Sequence, residues 1–398
     1  MKRMTAVIGM IVIGMGAFVG LSKMSNLVDQ PKGFDPDTVP DVVEYTAGIT
    51  KDTIVAYAGE QPIYAEDFMY WVGYTTEMAG YSAQSQGQEL DWTGDYDGMT
   101  LADVVKEQAL QSAKLYAVVE AKAAEYDCGL DAGSQAEFDT AYQALIEQLG
   151  GEAALKKQLL MMGTTESGFL RINQAPYLYN NLQLALVDNS PASAEEMAAY
   201  IEANDMLRAK HILLLTQDAD TRAELSDDEK ALKKEKAEQL AQELAESEDP
   251  LPLFDELMYA NSEDTGLLMY PNGYDFTAGE MVAEFENATR GLEYNEISGV
   301  VESDYGYHII LRLDPADDEL AAKIAAERIQ TEMDALLAQW MEETQVETTQ
   351  VYDNIDVKAY YENLLSLREE IELADAAAEA AAATPAPTAA TPTPTAAE

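Results

Sequence analysis

Cysteine and histidine are almost absent from this sequence. Its 398 residues include one cysteine and two histidines. An internal disulfide is therefore excluded, and no Cys/His cluster with the spacing of zinc ligands exists. Cys128 is interpreted as a bystander. The sequence also lacks an EF-hand loop and the Gly-x-Ser-x-Gly elbow of serine hydrolases, so we expect no metal ion and no cofactor.

Basic residues are also scarce. The 24 Lys and Arg stand against 73 Asp and Glu, which gives a formal net charge of −49 at pH 7. Nucleic-acid binding relies on clustered basic residues that neutralise phosphates, so nucleic acid is not an expected partner. A strongly acidic surface favours solubility outside the cell, and it also attracts basic segments of other polypeptides.

The amino-terminal segment, residues 1–22, is typical of a membrane-targeting sequence. Lys2 and Arg3 precede an apolar run that is long enough to span a bilayer as a helix. Positive charge ahead of such a run favours a cytoplasmic amino terminus and an exported remainder. No clear small-x-small cleavage site follows, so we favour a retained anchor over a cleaved signal peptide. The protein is expected at the extracytoplasmic face of the cell membrane, or secreted if the segment is cleaved.

Two further stretches have the composition of spacers. Residues 23–50 hold three prolines and no helical periodicity, which predicts a linker between the membrane segment and the first domain. Residues 374–398 pass from an Ala-rich stretch into a Pro/Thr/Ala repeat. Such a composition lacks the large apolar side chains of a core, so it predicts an extended, disordered tail.

Apolar residues at helical spacing dominate the sequence on both sides of a central block. Residues 51–205 begin with an alternating run that predicts a hairpin, and helices with stop signals follow. The clearest helix start is the capping box of Ser193 and Glu196. Residues 315–373 begin with a long amphipathic helix that needs a packing partner. Both segments are predicted to be mainly helical.

The central block, residues 206–314, contains both histidines. His211 opens the apolar run in "RAKHILLL", and His308 opens the one in "YGYHIILRL". Between them lie two helical stretches, an irregular segment and a further apolar run. This order predicts a compact α+β unit.

Motifs in this block resemble those of the parvulin-type peptidyl-prolyl isomerases, in the same order and spacing, over a little over a quarter of the chain. In this sequence they are His211 before a strand; Phe254, Ser262 and Asp264; Gly279, Met281 and Phe285; Glu296 and Ser298; and Ser303, Gly306 and His308.

The resemblance implies a fold, a reaction and a site. The fold is a small antiparallel sheet surrounded by helices. The reaction is cis/trans isomerisation of Xaa-Pro peptide bonds, without a cofactor or a metal ion. The assigned residues are His211, Asp264, Ser303 and His308 as catalytic positions, and Met281, Phe285 and Phe276 as the substrate-binding positions of a proline slot.

The roles of some of these residues stay open at this stage. By analogy with the family, His211 and His308 hydrogen-bond to each other on adjacent strands, and the pair either takes part in catalysis or stabilises the sheet and shapes the slot. Asp264 either disfavours charge on the amide carbonyl or caps a turn. Residues 267–276 depart from the Gly-Gly-Asp-Leu-Gly pattern of the family, which leaves catalytic rate and substrate preference open.

The flanking helical segments resemble the chaperone lobe of exported foldases, in which the segment after the isomerase packs back on the amino-terminal part. With the membrane segment, the whole chain resembles the membrane-attached foldases of Gram-positive bacteria, the PrsA-like group with a SurA-like architecture. The implied fold class is α+β, with a mainly helical amino- and carboxy-terminal lobe and an inserted parvulin domain.

The sequence supports three hypotheses about function. The leading one is an extracytoplasmic foldase that binds unfolded exported polypeptides and isomerises their Xaa-Pro bonds, with a homodimer as one expected assembly. The second is a holdase chaperone whose parvulin domain is a catalytically weak or inactive binding module. The third, a surface scaffold or adhesin, leaves both histidine motifs unexplained.

Overall fold

A computed structural model describes residues 33–218, 221 and 223–383. The membrane segment predicted for residues 1–22 lies outside these residues, and so does the Pro/Thr repeat beyond residue 383. Within the described part of the chain, no helix is both long and apolar enough to cross a membrane.

Helices make up most of the described structure, and the strands are short. The elements are, in chain order, α1 (Val42–Ala47), β1 (Ile54–Ala58), β2 (Gln61–Tyr64), α2 (Ala65–Ser85), α3 (Leu101–Glu125), α4 (Ala132–Leu149), α5 (Glu152–Met162), α6 (Glu166–Leu186), α7 (Ala194–Ala203), β3 (Leu207–Leu215), α8 (Asp227–Glu246), α9 (Pro250–Asn261), β4 (Tyr274–Phe276), α10 (Ala283–Gly291), β5 (Ile297–Ser303), β6 (Gly306–Leu313), α11 (Asp318–Glu343), β7 (Val346–Thr348), α12 (Gln350–Asn354) and α13 (Val357–Ala383).

The chain divides into two compact units. Among the described residues, one unit, the helical unit, contains residues 33–188 and 331–383, and the other is Asn189–Gln330. The second unit is therefore inserted into the sequence of the first. The predicted fold class, α+β with small antiparallel sheets and mainly helical flanks, is confirmed.

The helical unit joins the two ends of the described chain. Its three-stranded sheet has the order β2-β1-β7, and β7 pairs antiparallel with β1, which lies almost 300 residues earlier. Tyr360 on α13 is buried, and its hydroxyl donates a hydrogen bond to the carbonyl oxygen of Met69 on α2 at 3.0 Å. The segment that follows the insert thus completes the core of the amino-terminal part.

Local signals in the sequence explain where several helices begin and end. The capping box of Ser193 and Glu196 is present at the start of α7, as predicted. Gly150 and Gly163 end α4 and α5 in the left-handed conformation, with φ of 95° and 70°. Only glycine adopts this conformation without a steric penalty, which is why it ends helices so often.

Two predicted spacers contain ordered helix. Within the linker predicted for residues 23–50, Asp41 caps α1 by accepting hydrogen bonds from two backbone amides, and Val42 and Val43 are buried. Burial of these two valines explains why this segment packs on the helical unit. Within the tail predicted for residues 374–398, α13 continues to Ala383 because alanine has the highest intrinsic helix propensity.

An ionic cluster is buried in the helical unit. Glu66 on α2 is only 2% exposed and accepts a hydrogen bond from Arg171 on α6. Arg171 also forms an ion pair with Asp67 at 2.9 Å. Glu120 on α3 lines the same small cavity as Asp67 and Arg171. Two carboxylates are therefore paired with one guanidinium, and a third lines the cavity beside them.

The inserted unit is built on a four-stranded antiparallel sheet with the order β4-β3-β6-β5. Strand residues alternate between the two faces of a sheet. On one face, Ile212, Leu214 and Ile309 pack with apolar residues of α8 and α9, such as Phe254. On the other face, a second apolar cluster includes Phe285 of α10. Both histidines lie on this second face.

Candidate active site

The two histidines meet because of the register of the central strands. His211 on β3 is paired with Ile310, and Leu213, two residues on, is paired with His308 on β6. The four residues therefore share one face of the sheet, and the histidines are diagonal neighbours. Their rings are nearly parallel, with centroids 5.3 Å apart and an angle of 15° between planes. The predicted contact between the two histidines is present.

A continuous chain of hydrogen bonds links four polar side chains. The Nδ1 atoms of His211 and His308 are 3.1 Å apart. Beyond them, Nε2 of His211 is 3.0 Å from Oδ2 of Asp264, and Nε2 of His308 is 2.7 Å from Oγ of Ser303. All four predicted catalytic positions are thus brought together, although they come from three strands and one loop.

With Asp264 ionised and both rings neutral, one arrangement of protons satisfies every contact. A carboxylate only accepts, so Nε2 of His211 donates to Asp264 and its Nδ1 accepts. Nδ1 of His308 then donates to His211, and the hydroxyl of Ser303 donates to Nε2 of His308. Burial beside the second ring lowers the pKa of His308 to about 3, which keeps its imidazole neutral.

Asp264 is held as a carboxylate by its hydrogen bonds. Burial alone raises its pKa, but donors at His211, at the Tyr274 hydroxyl and at the backbone amide of Gly266 lower it to about 2. The Tyr274 hydroxyl is 2.6 Å from Oδ2, and the Gly266 nitrogen is 3.0 Å from Oδ1. Asp264 therefore stays negatively charged at neutral and at mildly acidic pH.

From the sequence, Tyr274 is considered only as an alternative to Phe276 for refilling the wall of the slot, and not as a partner of Asp264. It lies on β4 and pairs with Ala209, so its side chain is on the same face as His211. Gly266 makes room for it, because a Cβ at position 266 would overlap the tyrosine hydroxyl. The sequence signal for Tyr274 was its position two residues before Phe276, which places both side chains on one face of a strand. Its contact with Asp264 depends on the register of β4 on β3.

An open cavity of about 280 Å³ lies beside this hydrogen-bonded chain. Leu213, Met281, Val282 and Phe285 form its apolar wall. The ring of Phe285 is edge-on to both histidine rings, with its centroid 5.2 Å from that of His211 and 5.5 Å from that of His308. The remaining lining residues are His211, His308, Asp264, Tyr274, Glu280 and Tyr305. The cavity thus combines an apolar wall with one partly buried carboxylate and two imidazole rings.

Phe276 occupies a different place from the one predicted for it. It is 2% exposed and packs with Leu207, Ala209 and Ile310, with its ring centroid 5.7 Å from that of Phe285. It does not line the cavity. Because strand residues two apart share a face, Phe276 points the same way as Tyr274, but α10 covers it. Phe276 packs against Phe285 on the side away from the cavity. Met281 and Phe285 lie in the cavity wall, at the positions predicted for them.

Three side chains of the loop that departs from the family pattern are exposed to solvent beside the cavity. Leu268, Met269 and Tyr270 are 87%, 74% and 48% exposed. The ring of Tyr270 packs on that of Tyr274, with centroids 4.9 Å apart. The loop therefore contacts the site through one tyrosine pair and leaves the cavity open.

This arrangement is suited to an amide that has to twist. Rotation about a peptide bond breaks no covalent bond, but loss of resonance creates a barrier of about 18–20 kcal/mol. Resonance places negative charge on the carbonyl oxygen, so a fixed carboxylate such as Asp264 near that oxygen disfavours the planar, charge-separated form. An apolar wall that holds the proline ring fixes the amide in place while its carbonyl rotates.

Comparison with known proteins identifies the inserted unit. Residues 195–316 match the family model described as the PPIC-type PPIase domain. This segment is a parvulin-type PPIase domain. The match contains every residue of the hydrogen-bonded chain and the whole cavity wall, so the predicted family resemblance is confirmed for this part of the sequence.

The chain is also similar to proteins that contain more than a PPIase domain. It is 28% identical to the foldase protein PrsA of Staphylococcus aureus (strain MRSA252) over 200 residues, which are 49% of this chain and 58% of that protein. The chain thus spans less than two thirds of this relative's length. Among solved structures, it is 18% identical to PrsA of Bacillus cereus, covering 70% of this chain and 98% of that one, with a TM-score of 0.28. It is 22% identical to PrsA of Bacillus subtilis, with a match that covers 67% of this chain and 93% of that one and a TM-score of 0.24.

Proposed function

We propose that this protein is a foldase that isomerises Xaa-Pro peptide bonds in unfolded polypeptides, with its chemistry in the cavity of the PPIase domain. The observation that carries the proposal is the placement of an ionised Asp264 and the two hydrogen-bonded imidazole rings at one side of the apolar wall of Met281 and Phe285. Similarity to curated PrsA foldases supports the same activity.

In this proposal the wall and the polar chain have separate roles. Met281 and Phe285 bind the proline ring, and Asp264 disfavours the planar amide as the carbonyl rotates. His211, His308 and Ser303 are positioning residues, because each one fixes the orientation of the next and rotation about the amide bond requires no proton transfer. The helical unit binds unfolded segments of the same clients.

The test is cis/trans exchange of a Leu-Pro peptide, followed by NMR exchange spectroscopy with the full chain. Wild-type protein is expected to accelerate exchange, and Met281→Ala is expected to weaken the acceleration by raising KM. Met269→Ala is the matched control, because Met269 is 74% exposed and lies outside the cavity lining. No acceleration by folded wild-type protein would overturn the proposal.

A holdase with an inactive PPIase domain is the second candidate. The observation that favours it is the exposed apolar loop side chains of Leu268 and Met269 beside the cavity. The candidates are separated by a refolding experiment on a protein whose slow phase is proline isomerisation. A foldase accelerates the slow phase at substoichiometric concentration, whereas a holdase suppresses aggregation without changing its rate.

We further propose that residues 1–22 attach the protein to the extracytoplasmic face of the cell membrane. Support comes from Lys2, Arg3 and the apolar run that follows them. Extraction of membranes with carbonate tests this proposal: an anchored chain stays in the pellet, and a chain shortened by cleavage is released. Light scattering of the detergent-purified protein tests the expected homodimer.

A further inference from the structure

The rim of the cavity is acidic. Two carboxylates, Asp264 and Glu280, line the cavity, and none of its lining residues is Lys or Arg. Asp264 carries its charge at the base of the cavity, where three donors hold it. Glu280 is exposed to solvent at the rim, in the turn that leads into α10.

The carboxylate of Glu280 is held in place by its own turn. Its Oε2 accepts a hydrogen bond from the backbone nitrogen of Thr277 at 2.7 Å, and the nitrogen of Glu280 donates to the carbonyl oxygen of Thr277 at 3.2 Å. No cation of the described chain is paired with it. The side chain is thus fixed at the rim with its charge available to a ligand.

Two basic residues on the elements around the cavity are paired with acids outside its lining. Lys210 on β3 pairs with Asp255 at 2.9 Å, and Arg290 on α10 pairs with Glu286 at 3.1 Å and with Asp205. None of these pairs includes a cavity-lining residue, so the negative potential at the rim is not offset by a nearby basic side chain.

Covalent geometry places a client's neighbouring side chain within reach of Glu280. Consecutive Cα atoms are about 3.8 Å apart, both for Glu280 and Met281 and for a proline and its neighbour in a client. A client neighbour that extends from a proline on Met281 toward Glu280 is therefore about one residue length from the rim. A lysine or arginine stem spans that distance, packs on apolar surface and presents its charge to the carboxylate. The ring of Tyr305, which also lines the cavity and is 46% exposed, offers an aromatic face to the same cation.

We propose that this domain prefers prolyl bonds flanked by lysine or arginine, and that Glu280 is the residue that recognises the cation. The inference rests on the proposed isomerase function and names its substrate class. Acidic neighbours are disfavoured by repulsion from Glu280, and apolar neighbours are accepted without a charge preference. The overall charge of −49 acts in the same direction, because it attracts basic segments before they dock.

The experiment uses the full chain and peptides of one frame that contain Leu-Pro, Lys-Pro, Pro-Lys or Glu-Pro. Exchange rates at subsaturating peptide are expected to favour a lysine peptide over the Glu-Pro peptide roughly fivefold at low salt, as for exposed charge pairs, and less at high salt. Glu280→Gln is expected to reduce this ratio toward one, and Glu280→Lys to invert it. Glu284→Gln is the matched control, since Glu284 is exposed on α10 and does not line the cavity.

The outcomes separate this inference from the function on which it rests. Acceleration of the Leu-Pro peptide with equal rates for lysine and glutamate peptides would overturn the preference alone. A preference that survives Glu280→Gln, or disappears equally in Glu284→Gln, would overturn the assignment to Glu280. Failure to accelerate any of the four peptides would overturn the isomerase function and the preference together.

Discussion

The Nε2 atom of His211 lies 3.0 Å from Oδ2 of Asp264, on the opposite side of the ring from its contact with His308. Because the carboxylate only accepts, this contact sets the tautomer of His211 and, through it, the tautomer of the second ring. One ionised group thus orders a chain of four side chains that ends at Ser303.

The two histidines are expected to hold opposite tautomers. His211 carries its proton on Nε2 and His308 carries its proton on Nδ1, as the donors and acceptors around them require. Selective labelling with ¹⁵N-histidine gives signals from these two rings alone, because the sequence has no other histidine. Long-range ¹H–¹⁵N correlation distinguishes the tautomers. Two rings with the same tautomer would contradict the proposed direction of the chain.

Tyr274→Phe is expected to raise the pKa of Asp264. The tyrosine hydroxyl stabilises the charged carboxylate, and its loss favours the protonated form. On acidification, the isomerase activity of the variant should therefore begin to fall at a higher pH than that of wild type. At alkaline pH, the two activity profiles should be the same. The acid limb of the kcat/KM profile measures the shift. Tyr270→Phe, a change on the exposed ring that packs on Tyr274, should leave the limb where it is.

The stabilising contribution of Asp67 and Glu120 to the helical unit is expected to fall as pH rises from about 4 to about 7. Burial raises the pKa of Asp67 from 3.8 to about 6, and it raises the pKa of Glu120 from 4.5 to about 7. Each folded carboxyl thus holds its proton more tightly than the unfolded one, so its contribution is complete below the unfolded pKa and is lost as pH rises through the folded pKa. Urea unfolding on both sides of this window measures the change.

Glu120→Gln tests which group is responsible for that pH dependence. The variant has no proton to lose at position 120, so its free energy of unfolding should decline less across the window. Glu107→Gln is the control, because Glu107 is an exposed residue on the same helix, α3. Equal slopes for wild type and Glu120→Gln would count against a buried titrating carboxyl at this position.

Phe276→Ala is expected to lower the free energy of unfolding of the PPIase domain by about 3–5 kcal/mol, as for large core truncations. The ring is almost fully buried among Leu207, Ala209, Ile310 and Phe285. Phe276→Leu should lower it less and leave the KM for a Leu-Pro peptide nearly unchanged, because the ring does not line the cavity. A large rise in KM at wild-type stability would restore Phe276 as a substrate-contact residue.

Patterns along the chain were sufficient for the elements whose signals are local. Capping at Ser193, glycine stops at Gly150 and Gly163, and the apolar runs after His211 and His308 all predicted elements that the structure contains. The contact between the histidines followed from the family resemblance. Long-range register then explains it physically, since β3 and β6 are about 90 residues apart in sequence.

Other features depend on contacts that no local pattern encodes. Asp41 and two valines turn a proline-containing spacer into helix α1 only because a core is present to receive them. Tyr274 reaches Asp264 through the pairing of a three-residue strand, and Phe276 is buried because α10 lies over it. In each case, the residue type is compatible with several structural roles, and tertiary packing determines which one the residue takes.

The most direct test of the account is the exchange rate of a Leu-Pro peptide with Asp264→Asn in the full chain. Asparagine keeps the size and shape of the side chain, removes its charge and replaces one of its two accepting oxygens with an amide donor. We predict a loss of acceleration of roughly tenfold or more, as for other single preorganised groups, while Asp228→Asn, an exposed change on α8, remains at the wild-type rate. Full acceleration by folded Asp264→Asn would contradict the claim that an ionised carboxylate drives the twisting of the amide.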